Sequence, residues 1–506
     1  MGTRKFRTGR KPAKEFTVRN FRLAKMVCIV AALCAASAIS SPAQTLTVLA
    51  NFGVNSGSSP QGPLAQGVDG NLYGATTFGG SGTLSIGSIF DVTPGGELTT
   101  VYNFCSKKHC NDGSEPNSGL LLAADGNFYG LASSSGLYGN GTMFRLTPAG
   151  NLTTIYNFCS QTNCADGGYP ERWLAQGTNG FYGVTGGWGA YGFGTVFVIN
   201  QAGTLTTLHS FCPSRDGSNC PDGRNPQGGL IQASNGNFYG TTNEGGVNGY
   251  QGGTIFEITP AGQLTTLYSF CSKANCADGA TPNGLMQAAN GNFYGATYAG
   301  GTTGCNGNGC GTIFEMTAAG KLTTLYTFCK KSGCVDGWGP STISQGTDGN
   351  LYGTSVGGTF GQGTIFRITP SGEFTSLYNF CTSETSCPEG RLPETGVSQA
   401  TDGNFYGTTV ADGAYGYGTV FSLSMGLGPF VKTAPAAARI GTKIIILGNN
   451  LTGTTSVSFN GTAAAFTVAS DTEITATVPG GATTGTVQVV TLGGTLNSNV
   501  SFRVTK

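Results

Sequence analysis

Short apolar and aromatic runs, separated by Gly-rich and polar turns, recur seven times between Pro60 and Phe421. A full copy has an apolar run, Asp-Gly or Asn-Gly, then Asn-Phe-Tyr-Gly, a Gly-rich stretch, Gly-Thr-Ile-Phe, Thr-Pro-x-Gly and Leu-Thr-Thr-Leu-Tyr-x-Phe. Short runs rich in β-branched and aromatic residues and bounded by turn residues are typical of strands. Each copy therefore predicts four strands, which we name a to d in chain order.

The turns inside each copy predict an antiparallel meander. Asp-Gly or Asn-Gly between strands a and b predicts a two-residue hairpin turn with positive φ at both central residues. Between strands c and d, residues 147–150 (Thr-Pro-Ala-Gly) have Pro and Gly where a reverse turn favours them. A four-stranded meander repeated every 52 to 59 residues is typical of a blade of a β-propeller.

The seventh copy lacks its strand d. In the other six copies this strand ends at Phe104, Phe158, Phe211, Phe270, Phe328 and Phe380. A spare copy, TLTVLANF, stands before the first repeat at residues 45–52. Separate sandwich domains or a solenoid have no use for a detached strand, whereas a ring does. The sequence thus predicts an all-β fold, a seven-bladed propeller at residues 44–424, in which residues 45–52 pair with 418–424.

The repeat ends at a linker, residues 425–429, and a different pattern follows. Residues 441–448, 456–461, 471–479 and 485–490 read as short alternating strands at regular spacing. This pattern predicts a small β-sandwich over residues 430–506.

Fourteen of the sixteen cysteines lie after residue 43 and fall into seven close pairs. Even number and local pairing favour disulfides in an exported protein. Zinc is the competing interpretation, but zinc sites usually add a second CxxC or His, and the chain has only two His. The predicted disulfides pair Cys105 with Cys110, Cys159 with Cys164, Cys212 with Cys220, Cys271 with Cys276, Cys305 with Cys310, Cys329 with Cys334, and Cys381 with Cys387.

The first 43 residues predict a secretory signal peptide. Nine Lys or Arg precede an apolar run at residues 26–39, and Ser41-Pro42-Ala43 places small residues before a cleavage site after Ala43. The alternative is an uncleaved anchor, although the run is short for a membrane span. Without this segment 17 basic and 24 acidic residues remain, a net charge of about −7. That charge does not indicate a nucleic-acid partner. We expect a secreted or cell-surface protein.

The repeat strings resemble the GloVer tandem repeats of exported bacterial proteins, and the C-terminal strings GTTSVSFNG and SDTEITATVP resemble an immunoglobulin-like IPT/TIG domain. The resemblance implies a propeller followed by an IPT/TIG sandwich, and a surface or secreted protein with a binding role. It implies no defined activity. Two departures are visible: the third copy lacks the Asn after the a–b turn, and the fifth has Ala318 in place of the turn Pro.

Residues that break the repeat are the candidates for function, because residues present in every copy are explained by packing. In a meander the long b–c loops and d–a crossings emerge on one face, which we name the loop face. That face is aromatic, and aromatic rings among few charges suit the apolar faces of sugars. Packing of each ring against its own blade is the alternative. The predicted ligand-binding residues are Trp188, Tyr191, Phe193, Tyr250, Trp338, Phe360, Tyr415 and Tyr417, with Tyr138, Leu84 and Asn308 at equivalent positions.

Catalytic motifs are few. His209 replaces the usual Tyr of strand d and His109 lies between Cys105 and Cys110, so no Ser-His or Cys-His pair and no His metal site is indicated. Carboxylates such as Glu171 and Glu244 leave a glycosidase mechanism open. Most other acids recur at one crossing position and read as turn residues: Asp112, Asp166, Asp222, Asp278 and Asp336.

Two hypotheses follow, with no cofactor or metal predicted in either. The first is a non-catalytic exported protein that binds a glycan or cell-surface polymer through the loop face, with a protein partner for the IPT/TIG domain. The second is a polysaccharide-active hydrolase or lyase that uses loop carboxylates. A purely structural or protein-binding role is a third reading.

Overall fold

The computed structural model describes residues 1–3, 44–81, 86–214, 217, 219–249, 251–301, 304–305, 307–381, 383 and 387–505. The predicted signal peptide, including Cys28 and Cys34, lies outside the described residues apart from its first three. Within the described ranges, no helix has the length and apolar character needed to cross a membrane.

The described repeats form seven antiparallel sheets, one for each copy, which we name sheets 1 to 7. Within each, strand a pairs with b, b with c, and c with d, as the meander predicts. Sheet 1 consists of Ser58–Pro60, Ala65–Gln66, Leu72–Phe78, Ser88–Val92 and Leu98–Asn103. Sheet 2 consists of Leu121–Leu122, Phe128–Ala132, Thr142–Leu146 and Leu152–Asn157. Sheet 3 consists of Gly168–Gly177, Gly180–Gly187, Thr195–Ile199 and Leu205–Ser210.

The remaining sheets repeat this order. Sheet 4 consists of Leu230–Gln232, Phe238–Thr242, Thr254–Ile258 and Leu264–Ser269. Sheet 5 consists of Ala280–Gln287, Phe293–Ala299, Thr312–Met316 and Leu322–Thr327. Sheet 6 consists of Pro340–Gln345, Leu351–Ser355, Thr364–Ile368 and Phe374–Asn379. Sheet 7 consists of Ser398–Gln399, Phe405–Thr409, Thr419–Ser424 and the N-terminal strand Thr45–Asn51.

The N-terminal strand completes sheet 7 and confirms the predicted pairing. It runs antiparallel to Thr419–Ser424, with Thr45 opposite Ser424 and Asn51 opposite Thr419. Two residues of this segment, Ala50 and Phe52, are buried in a cluster with residues of sheets 7 and 1. Corresponding clusters join each other pair of consecutive sheets. The described sheets therefore form a closed ring, which is the architecture of a β-propeller.

One aromatic contact recurs at every junction of the ring. The Phe that ends strand d packs edge-to-face on the Phe of strand c in the next sheet, with ring centroids 4.9 to 5.4 Å apart. Phe52 makes this contact with Phe90 and so joins sheet 7 to sheet 1. The others are Phe104–Phe144, Phe158–Phe197, Phe211–Phe256, Phe270–Phe314, Phe328–Phe366 and Phe380–Phe421.

The Asn-Phe-Tyr-Gly string is explained by packing, as predicted. Its Tyr stacks on the Phe of the next copy, for example Tyr182 on Phe238 at 3.8 Å. Its Gly lies over the strand c Phe of its own sheet, because a Cβ on Gly130 would sit 2.5 Å from the Phe144 ring. Only Gly fits at that position.

The predicted positive φ at both residues of the a–b turn is wrong in every copy, and the predicted two-residue length is wrong in six. In sheet 2 the Gly126 N–H donates to the Ala123 carbonyl and the Ala123 N–H donates to the Asn127 carbonyl. This is a three-residue loop in which only Gly126 has positive φ, so the Asp is not in the left-handed region. The third copy has a two-residue connection, with Gly177 opposite Gly180, but the connection consists of Thr178 and Asn179, and neither has positive φ.

All seven predicted disulfides are present, and each closes a short local loop of the chain. The first four join Cys105 to Cys110, Cys159 to Cys164, Cys212 to Cys220, and Cys271 to Cys276. The other three join Cys305 to Cys310, Cys329 to Cys334, and Cys381 to Cys387. The pairing predicted from chain proximity is therefore confirmed for every one of the fourteen cysteines.

One group of four cysteines in the described residues tests the competing zinc interpretation. The sulfurs of Cys305, Cys310, Cys329 and Cys334 lie within 4.8 Å of one another. Among the described residues they are the one group placed to hold a metal ion. They are joined as two disulfides, however, and offer no free thiolate to a metal.

The recurring crossing acids are more than turn residues. Asp166 is fully buried, and it accepts hydrogen bonds from the Tyr156 hydroxyl at 2.8 Å and the Ser160 N–H at 2.9 Å. In the fourth copy His209 takes the place of the Tyr and lies 2.8 Å from Asp222. These hydrogen bonds hold the crossing beside the neighbouring disulfide. The crossing Asp residues and His209 therefore have a structural role. His109 is exposed and forms part of its Cys loop.

The C-terminal domain is a β-sandwich, as predicted. Its strands are Lys432–Ala434, Ala437–Arg439, Lys443–Leu447, Ser456–Phe459, Thr462–Ala463, Phe466–Val468, Glu473–Thr477, Val487–Thr491, Gly494–Asn497 and Arg503–Thr505. Its core includes Ile446, Val457, Phe459, Ile474 and Phe502.

This domain docks on the face of the propeller opposite the loop face. The Thr472 hydroxyl donates to the Val68 carbonyl in an a–b turn at 2.6 Å, and the Asn449 amide donates to Thr401 at 2.8 Å. Ile445 and Leu447 pack in the same cluster as residues of sheets 1 and 2. The loop face is thus the face left open by the docked domain.

We expect Phe52→Ala to destabilise the propeller by about 3–5 kcal/mol, because it removes a fully buried ring at the closing junction. Urea unfolding monitored by far-UV circular dichroism measures the effect. Val54→Ala, at a side chain 60% exposed, is the matched control and should leave stability within about 0.5 kcal/mol of wild type. Equal stability of the two variants would contradict closure by this strand.

Candidate functional site

The inner strands of the sheets surround a central channel. Strand a of one sheet bonds to strand a of the next: the Thr342 hydroxyl donates to the Thr395 carbonyl at 3.0 Å, and the Ser344 hydroxyl donates to the Val397 carbonyl at 2.7 Å. A cavity of about 170 Å³ is lined by strand a residues or their neighbours from sheets 1, 3, 5, 6 and 7. Such a cavity lies on the axis of the ring.

Trp173 and the C-terminal domain occupy one side of this channel. Trp173 lines the axial cavity, and it also lines a second cavity of about 600 Å³ between sheets 2 to 5 and the C-terminal domain. Ala434, Pro435 and Arg503 form part of the wall of that second cavity. The mouth of the channel is therefore at the loop face.

One position near the start of strand a, the residue that follows the Pro, differs between the copies. A side-chain hydrogen bond ties this segment to the next sheet in the fifth copy: the Asn283 amide donates to the Pro340 carbonyl at 3.1 Å. The copies disagree at this position, which holds Gln61, Asn117, Glu171, Gln227, Asn283, Ser341 and Glu394.

The third copy departs most, with Glu171, Arg172 and Trp173 where the fourth has Gln-Gly-Gly. Arg172 has φ of 52°, in the left-handed region, and sits in a bulge between Glu171 and Ala175. The Glu171 carboxyl lies over Gly186, where a Cβ would come within 3.0 Å of its Oε1. The local backbone thus gives Glu171 room at the mouth.

Three charged side chains share the mouth: Glu171 and Arg172 from sheet 3, and Glu394 from the start of sheet 7. Burial raises the pKa of Glu171 to about 7, and the Arg172 charge opposes this rise. Burial also raises the pKa of Glu394, although its side chain is open to the solvent of the channel, and Arg172 again opposes the rise. Burial lowers the pKa of Arg172, and the two carboxylates raise it. The charge of Arg172 therefore acts on the pKa of both carboxyls.

A groove lies on the loop face. Tyr298 lines it, and burial and the Glu394 charge raise the pKa of the Tyr298 hydroxyl. The groove has a volume of about 620 Å³, and Tyr298 and Trp338 meet there edge-to-face with centroids 6.5 Å apart. Its other walls include Asn243, Glu244, Gln251, Asn275 and Asn308.

The predicted aromatic residues are dispersed around the loop face. Among those in the described part of the chain, Trp338 is the one that makes a ring contact; Phe193 instead lies under the Arg224 guanidinium at 5.4 Å. Tyr138, at the equivalent position of the second copy, is 48% exposed. Trp188, Tyr415 and Tyr417 are 42%, 68% and 38% exposed, and Tyr191 and Phe360 are half-buried. Tyr250 and Leu84 lie outside the described residues.

Of the two carboxylates singled out in the sequence, Glu171 lies at the mouth and Glu244 lines the groove. Glu244 is held by Arg224 at 2.7 Å. The sequence interpretation missed Arg172, Trp173, Tyr298 and Glu394. Each of them breaks the repeat: Tyr298 stands where the other copies have Thr77, Ser133, Gly186, Asn243, Val356 and Val410. A search for residues that break the repeat at strand ends, as well as in loops, would have found them.

Comparison with known families agrees with the repeat. The model of the Gloeobacter/Verrucomicrobia repeat matches residues 35–220 and 218–421, more than half of the chain. The chain belongs to the Gloeobacter/Verrucomicrobia repeat family. In this family member an IPT/TIG domain, matched at residues 431–504, follows the repeats. No curated protein sequence matches it.

Solved structures that match the chain include enzymes of different kinds. A fungal alcohol oxidase of the AA5 family, in complex with copper, is 14% identical with a TM-score of 0.46, covering 91% of this chain and 99% of its own. The periplasmic gluconolactonase of Pseudomonas aeruginosa is 14% identical with a TM-score of 0.41, covering 69% and 94%. A luciferin-regenerating enzyme is 13% identical with a TM-score of 0.39, covering 62% and 92%. At these similarities none of them bears on the activity of the Gloeobacter/Verrucomicrobia repeat protein.

We expect Glu171 to titrate near pH 7, and Arg172→Met to raise its pKa further, because the guanidinium favours the ionised carboxylate. The pKa of Glu394 should rise in the same variant. Carbon-13 NMR of glutamate-labelled protein measures both. Unchanged titration of both carboxyls in Arg172→Met would show that the three groups do not share the mouth.

Proposed function

We propose that the protein is an exported glycan-binding propeller that holds its ligand in the loop-face groove. The observation that carries this proposal is the meeting of Tyr298 and Trp338 in a groove whose other walls include four amide side chains and one carboxylate. The volume, about 620 Å³, is in the range of ligand sites in general.

The chemistry of the groove suits a sugar. Aromatic rings bury the apolar C–H faces of a sugar ring, and amide and carboxylate groups satisfy its hydroxyls. Glu244 is a fixed acceptor, because Arg224 holds its carboxylate at 2.7 Å and is itself buried. A pre-oriented acceptor reduces the entropic cost of binding.

Export is supported by seven disulfides, which persist in oxidising compartments, and by the basic and apolar leader of the sequence. The IPT/TIG domain docks away from the groove, so the ligand and a protein partner of that domain can bind at the same time. In this proposal the propeller recognises a surface polymer and the C-terminal domain serves as spacer or partner contact.

We expect Trp338→Ala and Tyr298→Ala each to weaken glycan binding about tenfold or more, since burial of an aromatic side chain is worth ~1.5–3 kcal/mol. A glycan array with the chain lacking residues 1–43 identifies the saccharide, and isothermal titration measures the affinity of each variant. Tyr415→Ala removes an equally aromatic but more exposed side chain outside the groove, so its affinity should equal that of wild type. Binding that survives both groove substitutions, or an array with no bound saccharide, would refute the proposal.

A further inference from the structure

A cavity lies between the propeller and the C-terminal domain, away from the loop face. It has a volume of about 600 Å³, which is within the range of ligand sites. Strand a residues of sheets 2 to 5 and their neighbours form one side, and residues of the C-terminal domain, among them Pro435, Ala437 and Arg503, form the other. We name this space the interdomain cavity.

The wall of the interdomain cavity is mostly apolar. Its large aliphatic side chains come from all four sheets and are Leu121, Leu122, Leu174, Leu230, Ile231 and Met286. Trp173 adds a flat surface, which rests on the backbone of sheets 4 and 5. A Cβ on Gly229 would lie 2.7 Å from the indole nitrogen, and one on Gly284 would lie 3.3 Å from the ring. The indole is therefore held in place by the absence of side chains beneath it.

Arg503 is the one charged residue of this wall. Its side chain crosses from the C-terminal domain to the a–b turn of sheet 4, because a Cβ on Gly236 would come within 3.0 Å of its Nη1. The ion pairs of the described chain lie elsewhere, at Asp222, Glu244 and Asp412. The buried Nη2 of Arg503 has no hydrogen-bond partner in the described residues. The fold thus supplies no anion to this guanidinium.

Gln176, which also lines the cavity, has an amide that the fold leaves unused. The equivalent Gln in four other copies donates its amide N–H to the Gly carbonyl of its own a–b turn, as Gln232 does to Gly236 at 3.1 Å. In the third copy the corresponding Gly180 belongs to strand b instead and lies opposite Gly177. Gln176 makes no side-chain hydrogen bond within the described chain, and its Oε1 is buried.

These two groups indicate the chemistry of a ligand. An unpaired cation and a free amide in an apolar wall are costly for a scaffold, because polar groups taken from water without a partner lose their hydration. A guanidinium binds carboxylates and phosphates through parallel N–H donors. The single charge of Arg503 balances a carboxylate, whereas a phosphate monoester carries a charge of about −1.5 to −2. The aliphatic wall and the indole suit an apolar body attached to that carboxylate.

We propose that the interdomain cavity is a binding site for an apolar carboxylate of the size of a medium-chain fatty acid. The carboxylate bonds to Arg503, the Gln176 amide offers a further donor in the same cavity, and the apolar body lies along Trp173 and the aliphatic wall. This site is separate from the loop-face groove, so the inference goes beyond the proposed function and does not rest on it. Because the ligand contacts both domains, its binding stabilises their docked arrangement.

Calorimetric titration of the protein with decanoate tests the proposal. Decanol and decyltrimethylammonium have the same apolar body with a neutral and a positive head. Decanoate should bind at one site per chain and at least about tenfold more tightly than either of them, since a charge-assisted hydrogen bond to the guanidinium is available to the carboxylate alone. Decanol that binds as tightly as decanoate would overturn the proposal.

Two substitutions place the site in the cavity. Arg503→Met keeps a long side chain without its charge, and Ala437→Phe puts a ring into the cavity beside Arg503, which is opposite Ala437 in the paired strands. Each should weaken decanoate binding about tenfold or more. Arg439→Met is the matched control, because Arg439 lies exposed in the same pair of strands and outside the cavity wall. It should bind decanoate like wild type.

Urea unfolding separates a binding role of Arg503 from a structural one. Without ligand, Arg503→Met should unfold at the same urea concentration as wild type or a higher one, because Met relieves an unpaired, half-buried charge. Decanoate should raise the midpoint of wild type and not that of Arg503→Met. A lower midpoint for Arg503→Met without ligand would make Arg503 part of the fold and contradict the proposal. No binding of decanoate, or binding that persists unchanged in both Arg503→Met and Ala437→Phe, would also overturn it.

Discussion

Contact between two Phe rings, repeated at every junction of the ring, is the interaction on which the rest of the structure depends. Each strand d ends in a Phe that packs on strand c of the next sheet, so no sheet is complete without its neighbour. Six of these rings come from the copy before, and the seventh, Phe52, comes from the other end of the chain. Closure therefore converts a row of meanders into a ring, and it brings the seven strand a segments to one axis.

The ring separates the protein into scaffold and site. Stacked Tyr and Phe rings, buried crossing acids and disulfides recur in each copy or most copies and hold the sheets in place. The C-terminal domain covers the short-turn face, which leaves the loop face and the channel mouth exposed. Residues that differ between copies gather there: Tyr298 and Trp338 in the groove, and Glu171, Arg172 and Glu394 at the mouth. Function is proposed where the repeat breaks and where the fold leaves polar groups without partners.

The ring, the meander order and the pairing of the N-terminal strand could be predicted from the sequence, because they depend on local strand patterns and on a copy count. The disulfides could be predicted because both partners are close in the chain, as Cys159 and Cys164 are. The a–b turn was predicted with the wrong loop length in six copies, since Asp-Gly and Asn-Gly can form a two-residue turn or end a three-residue loop whose last residue has positive φ. The effect of Arg172 on the pKa of Glu394, a residue from another sheet, depends on which side of strand a faces the axis. Docking of the C-terminal domain depends on surface shape, which no local pattern in the sequence encodes.

Native-state hydrogen exchange tests ring closure most directly. If residues 45–51 complete sheet 7, the amides of this segment that bond to Thr419–Ser424 will exchange as slowly as the amides of strands b and c, because their release requires the closing junction to open. Exchange of these amides at the rate of a frayed terminus, while the other sheets stay protected, would contradict closure.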